Sequence, residues 1–497
     1  MARYWAVCFT AAAAISGAAA APSPPPPLSL FPGVNAAFSM GSGGAGESGP
    51  YYKFVGGGFS SSAACGAAAA AWANASEPAQ RCLSATFFRA PRNASFLDQC
   101  YCNVEPRWIP LPSDEADSVR LLWPCASSLD CSYNGECDAG SGLCSCDAAW
   151  GGPRCSELQL LPVDAAHPGL RLVDADGHNV STWGAPMLRD EASGVWHAWA
   201  SEMESGCGLN SWRTNSHIVH ATAAQPGGPW TRREEVFATF AHEPDVVRGP
   251  AGEWVMALAS FPLPAGDGCA DCADGITRSQ PHRGGCGPDS MHSFRTLLAV
   301  AASPDGPWEA VELRRLDASI DWNTALAING DGSAVALLRE GMTWAATDFA
   351  DNTTWRAVGS GMGTALPDAD VEDPYVYKDA RGTFHSLFHA MDVGDDQAFC
   401  GGHAFSADGG VTWVYTGLAF SNAANFTDGS LQVFSRRERP HFLFAADGVT
   451  IIALSSGVQF AAPPGVACSV NGSAAPCDPV FTLVQPVRQA AERTTLN

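Results

Sequence analysis

Apolar and polar positions in this chain alternate over short runs, and Gly and Asp fall between the runs. Residues 371–413 show the pattern most fully. They open as VEDPYVY, turn through a charged segment at 378–382, and alternate again through 384–390. A Cys-Gly-Gly turn then leads into HAFSADGGVTW, another strand and a turn closed by Trp413. A period of two bounded by Gly and Asp predicts strands rather than helices, and strands this short and close together predict an antiparallel meander.

The same unit recurs from residue 160 onward. Five segments open alike: WGAPML at 183–188, HEPDVV at 242–247, WNTALAI at 322–328, EDPYVY at 372–377 and ERPHFLF at 438–444. Each is followed by a turn and an alternating strand, as in GVWHAWAS, GEWVMALAS and GTFHSLFHA. Outer endings recur as HATAAQPGGPW, AVAASPDGPW and HAFSADGGVTW. Openings roughly 50 to 80 residues apart suit four strands plus variable loops, the size of a propeller blade. The expectation is an all-β chain whose residues 160–490 form a five-bladed β-propeller. Residues 262–292, with Cys269, Cys272, Cys286, His282 and His292, read as one long loop.

In a propeller the first strand of each blade lines the axis. Aligned just before the Pro or its equivalent, the five openings place Ala185, Glu243, Asn323, Asp373 and Arg439 around one funnel, flanked by Asp245, Glu372 and Glu438. Converging carboxyls can be driven to different pKa values, one remaining protonated as acid and one ionised as base. Cleavage of a glycosidic bond needs such a pair. The competing reading is that these acids cap strands or pair with Arg437 and Arg439. Carboxyls roughly 6.5–9.5 Å apart across an open pocket suit an inverting hydrolase; buried pairing with either arginine suits a binding protein.

These openings resemble those of the five-bladed glycosidase superfamily that holds arabinanases, β-xylosidases, invertases and levansucrases. HEPDVV is similar to the second-blade Ala-Pro-Asp segment of its family 43 members, and VEDPYVY to the fourth-blade segment that carries the general acid. The resemblance implies Glu372 as acid, with Asp373 or Asp245 as the second carboxylate. It also implies a first-blade Asp as base, which falls at Ala185, and a third-blade Asp that tunes the acid, which falls at Asn323. The substrate it implies is a polysaccharide or the glycan of a glycoprotein. The alternative is a non-catalytic glycan-binding or adhesion protein that has lost the base.

Glu243, Asn323, Glu438 and Arg439 are candidates to contact sugar. Trp212 is a candidate stacking platform, because Asn210, Arg213, Asn215 and His217 crowd its loop. His385 and His389 share a strand face near Glu372, and His389 and His403 are further candidates for substrate contact. Residues 406–413, Ser-x-Asp-x-Gly-x-Thr-Trp, resemble the Asp-box of sialidases, where the motif is a structural turn. Cys269, Cys272, His282 and Cys286 could imitate a zinc site, but disulfides are the expected use of cysteine in a secreted chain. No metal or cofactor is expected.

The segments before residue 160 change the picture of where the protein works. Residues 1–21 read as a secretory signal, with Arg3, an apolar run and small residues at its end. Residues 22–33 are a Pro-rich linker, and 34–120 a module with Cys65, Cys82, Cys100 and Cys102 that faintly resembles PAN/apple domains. Cys125, Cys131, Cys137, Cys144, Cys146 and Cys155 follow the spacing C-x5-C-x5-C-x6-C-x-C-x8-C over residues 125–155. That spacing, with Trp150 and Gly152, resembles an epidermal-growth-factor-like module, and the resemblance implies pairing first to third, second to fourth and fifth to sixth. Eighteen cysteines, one of them Cys8 in the signal, leave an odd number in the mature chain. Sequons at Asn74, Asn93, Asn179, Asn352, Asn425 and Asn471 fit a secretory, extracellular glycoprotein. A net charge of −23 over 497 residues argues against nucleic acid or an anionic membrane as partner. No run is long and apolar enough for a membrane anchor.

Overall fold

In a computed structural model, the chain is described over residues 125–173, 179–204, 207–260, 295–313, 323–359, 361–362, 366, 369–392, 401–460 and 480–489, with the backbone of seven strands between Leu28 and Leu121. The signal, Cys65, Cys82, the cluster from Cys269 to His292 and the sequons at Asn74, Asn93 and Asn471 lie outside the described residues. Contacts divide the chain into two compact units, with Asp147–Gly151 and Ser156 onward in one and the preceding residues, with Gly152–Cys155, in the other.

The first unit is the expected propeller. Five antiparallel sheets each carry four strands in a ladder, except that the inner strand of the first is broken in two, Thr182–Trp183 and Met187–Arg189, and Ala423–Asn425 adds an edge to the last. The inner strands of blades two to five are Ala241–Arg248, Ala325–Ile328, Ala369–Lys378 and Leu431–Phe444. Blade five takes its outermost strand, Gly169–Leu170, from the start of the propeller, paired with Val480–Pro486. That exchange closes the ring with backbone hydrogen bonds, so neither end of the propeller is left as an open edge.

Each inner strand turns into the second strand through a short loop that ends on a glycine of positive φ: Gly194, Gly252, Gly332, Gly382 and Gly448. An L side chain is strained there, which is why a Gly marks the same place in every blade. Apolar side chains fill the wedges between blades. Trp199, Val246 and Trp254 pack between blades one and two; Leu298, Leu326 and Trp355 between two and three; Phe388 and Trp413 between three and four. Each side chain so buried contributes roughly 1.5–3 kcal/mol. Second strands are covered on both faces, so Phe384–Asp392 is buried from Phe384 through Met391.

Residues 406–413 form the expected turn. Asp408 accepts from Ser406 Oγ at 2.8 Å, Thr412 N at 2.9 Å and Thr412 Oγ1 at 2.6 Å. Trp413 Nε1 donates to the Gly410 carbonyl and to Thr343 Oγ1 of blade three. The turn thus fastens one blade to the next.

In the second unit, Cys125–Cys137, Cys131–Cys144 and Cys146–Cys155 are disulfides, the pairing the spacing suggested through its resemblance. Before them, Leu28–Phe31, Ala116–Leu121, Ser84–Phe88, Cys100–Asn103 and Tyr52–Gly56 make a five-stranded sheet in that order. Among the described residues no helix is long and apolar enough to cross a membrane.

Asp408→Ala removes three hydrogen bonds from the turn that holds Trp413, and should destabilise the propeller by about 1–3 kcal/mol. Thermal unfolding followed by tryptophan fluorescence would measure this, and an unchanged midpoint would show the turn to be dispensable.

Candidate active site

Every inner strand carries the same irregularity. Gly184, Glu243, Asn323, Asp373 and Arg439 all have φ between +45° and +53°. In blades two, four and five the ladder skips at this point, from His242 to Asp245, Glu372 to Tyr375 and Glu438 to His441. These are β-bulges, which re-aim side chains, and here they turn two successive residues per strand toward the axis. The residue before each bulge is Trp183, His242, Glu372 or Glu438, and all four line one pocket. Glu243, Asn323 and Asp373 line it from the bulge itself, and Leu209, Trp212, Arg339 and Arg436 complete the wall. The pocket is open to solvent, and the free space in and before it is about 490 Å³.

The backbone freed by the bulges is satisfied from neighbouring blades. Glu243 N donates to Ser201 Oγ at 2.8 Å, and Ala185 N to Thr482 Oγ1 at 3.1 Å. Leu326 N donates to Asp245 Oδ2 at 2.6 Å. Asp245 is buried and also faces His441 Nε2 at 3.2 Å. It braces blades two, three and five and does not line the pocket, so it is not the second carboxylate expected there.

Blade one requires a correction of one residue. The bulge residue is Gly184, not Ala185, because Pro186 stands one place later than Pro244, Pro374 and Pro440. A Cβ at Gly184 would lie 2.5 Å from Cβ and Cδ of Arg439. The place of a first-blade acid is therefore covered by the arginine of blade five.

Arg439 is buried and does not line the pocket, so it is not the sugar contact expected of it. Its Nη1 stands 3.4 Å from Glu243 Oε2 and 3.5 Å from Asp373 Oδ1, and its Nη2 donates to the Pro244 carbonyl at 3.2 Å. Asn323 Nδ2 bonds the same two carboxyl oxygens, that of Asp373 at 2.8 Å. Burial, and the charge of Asp373, push the Glu243 carboxyl up to about 8 despite the opposing pull of Arg439. The surroundings of Glu243 thus favour its protonated form. Glu372 is placed differently: it is the most open of these acids, and Arg339 holds it in an ion pair. His389 backs it at 3.4 Å from Oε2 and also reaches Glu438 at 3.8 Å, where Arg436 lies equally close.

Other expected contacts fall elsewhere. His403 is buried away from the pocket, bonded to Thr416 at 2.7 Å and His385 at 3.1 Å and packed on Trp150. Burial holds it well below the usual histidine range. Its partner His385 bonds inward in the same blade and contributes nothing to the site. Arg213 does not line the pocket; its guanidinium lies over the Trp212 ring at 4.9 Å. Trp212 does line it, stacked on His242 with centroids 4.9 Å apart. Arg437 pairs with Ser456, Gln485 and two carbonyls, and burial lowers it to about 9. Arg339, Arg436, His242 and Trp183 were not anticipated. The only sequence sign of them was that Trp183 and His242 hold the place of Glu372 in their own openings.

The chain matches no protein-family model and no curated protein. Among solved structures it is similar to an exo-β-1,3-galactanase from Phanerochaete chrysosporium, at 11% identity and a TM-score of 0.39, over 64% of this chain and 63% of that one. It is also similar to an endo-arabinase from Bacteroides thetaiotaomicron, at 14% identity and 0.37, over 66% and 97%. A third is a GH43_1 enzyme from Xanthomonas citri complexed with xylotriose, at 12% and 0.39, over 66% and 93%. The fold of the described chain is a five-bladed propeller, and family 43 glycoside hydrolases are among the structures it is similar to.

Gly184→Ala drives a methyl into Arg439 and should destabilise the propeller by about 2 kcal/mol. A melting temperature equal to that of the wild type would mean that Arg439 does not lie over Gly184. A carboxyl raised on folding stabilises fully below its unfolded pKa, and that contribution is lost as pH rises through its folded pKa. For Glu243 the window runs from the ordinary carboxyl range up to about 8. Across it the wild-type melting temperature should fall relative to Glu243→Gln; parallel curves from pH 5 to 9 would contradict the raised value.

Proposed function

We propose that the funnel pocket takes the end of a saccharide chain, and that Glu243 and Glu372 form the acid–base pair that cleaves a glycosidic bond there. The observation that carries this reading is one pocket lined by two carboxyls in unlike surroundings, Glu243 buried beside Asp373, Asn323 and Arg439, and Glu372 more open and in an ion pair with Arg339. Environments that separate two carboxyls in this way assign the acid and the base. Glu243 would give its proton to the departing glycosidic oxygen. Glu372 would take a proton from the water whose oxygen bonds to the anomeric carbon. These roles reverse the one implied for Glu372 by resemblance, because Arg339 favours its ionised form. Trp212, half-buried at the wall, offers aromatic surface for a sugar ring.

Three disulfides support an oxidising, extracellular setting, and the sequons at Asn179 and Asn425 are exposed, as glycosylation requires. The net charge of −23 favours an uncharged glycan over a densely sulfated one.

A second reading, recognition without cleavage, is favoured by the covering of the first-blade position by Arg439 and by its buried pairing with Glu243 and Asp373. Sugar release from a panel of plant and algal polysaccharides, measured beside glycan-array binding, separates the two. The cleavage reading expects release that falls by about 100-fold or more in Glu372→Gln and Glu243→Gln, with binding retained, and a wild-type rate that declines above about pH 8. Array binding with no release from any polysaccharide would establish the second reading instead.

A further inference from the structure

The two oxygens of Glu243 meet different surroundings. Oε2 faces two donors, Asn323 Nδ2 and Arg439 Nη1. An oxygen so placed accepts hydrogen bonds, so the proton of the neutral carboxyl belongs on Oε1. Oε1 faces His242 Nε2 at 3.5 Å.

Which tautomer His242 adopts follows from its other nitrogen. Ser216 Oγ donates to the Ala241 carbonyl at 3.0 Å, which uses its one hydrogen. The same Oγ lies 2.6 Å from His242 Nδ1. Both contacts are met together when Nδ1 carries the hydrogen and donates to Ser216, which leaves a lone pair on Nε2, 3.5 Å from Glu243 Oε1. Burial and the charge of Arg439 keep His242 neutral, and Trp212 stacked on the ring fixes its plane.

We infer that His242 is a positioning residue, which accepts a hydrogen bond at Nε2 from Glu243 and so fixes the acidic proton on Oε1. The assignment rests on Glu243 as the acid of the proposed reaction, and extends it to the residue that holds the proton in place. The charged groups facing Glu243 are Arg439 from blade five, Asp373 from blade four and, at longer range, Arg339 from blade three. None of these supplies an acceptor to Oε1 without reversing the pairing at Oε2.

The test reads protonation of Glu243 directly, by infrared titration of the full-length protein against Glu243→Gln. His242→Phe keeps a ring against Trp212 and removes the acceptor. Loss of one hydrogen bond to the neutral form should lower the Glu243 midpoint by about one pH unit, whereas an apolar ring alone would raise it. His242→Gln, with an amide oxygen near the position of Nε2, should restore most of the shift. Ser216→Ala, on another strand, releases Nδ1 and should lower the midpoint by a smaller amount, so the assignment stays testable if the Phe variant fails to fold. A midpoint that stays or rises in the folded variants overturns it. A midpoint that falls while no polysaccharide is cleaved at any pH upholds the His242 contact and removes the hydrolytic reading.

Discussion

A left-handed residue at the same place in five consecutive inner strands is the constraint on which the site depends. L side chains avoid that backbone, and each non-glycine example costs on the order of 1–3 kcal/mol. Four of the five here are Glu, Asn, Asp and Arg. The strain is offset by ladders on either side and by hydrogen bonds from adjacent blades to the freed backbone. In return, two successive side chains point at the axis where a regular strand would offer one. The wall of the pocket is largely those two positions read around the ring.

Electrostatics then differentiates residues that the fold treats alike. Glu243 and Asp373 are equivalent in the backbone, yet they share one amide nitrogen and one guanidinium between them. Two carboxylates and one buried cation leave an excess negative charge in a region that water cannot solvate well, and a proton on Glu243 removes it. Glu372 escapes this because it sits nearer the mouth with an arginine of its own. Difference in depth of about one residue along the strand thus separates a proton holder from an ion-paired carboxylate.

Much of the fold was legible because the chain repeats its signals. Five openings, five turn glycines and the Trp endings each report the same blade, so any one could be weak. The site was legible only in part. Aligning on proline succeeded where the bulge precedes it directly and failed at Gly184-Ala185-Pro186, since only the backbone shows which residue is left-handed. Asp245 looked equivalent to its pocket neighbours because strict alternation puts it on the face of Glu243; the bulge breaks that alternation and turns Asp245 toward Leu326 and His441. Arg339 lies on a turn after the second strand of blade three, and nothing local in LLREGM points to Glu372. Protonation states depend on burial and on neighbours from three other blades, which no stretch of sequence displays.

Gly184 and Arg439 are best understood as one feature. An acid at the first position would have stood against a guanidinium that already serves Glu243 and Asp373, and the space for its Cβ is occupied. The absence of a side chain at 184 leaves room for Arg439 to reach both carboxyls. Its charge in turn keeps Glu243 from rising further and adds to the burial that lowers His242. On the proposed reading, the acid–base work that the resemblance implied for blades one and four is assigned to blades two and four. The first-blade position, aligned in the sequence at Ala185, is in the backbone Gly184, and its missing side chain is what the Arg439 side chain requires.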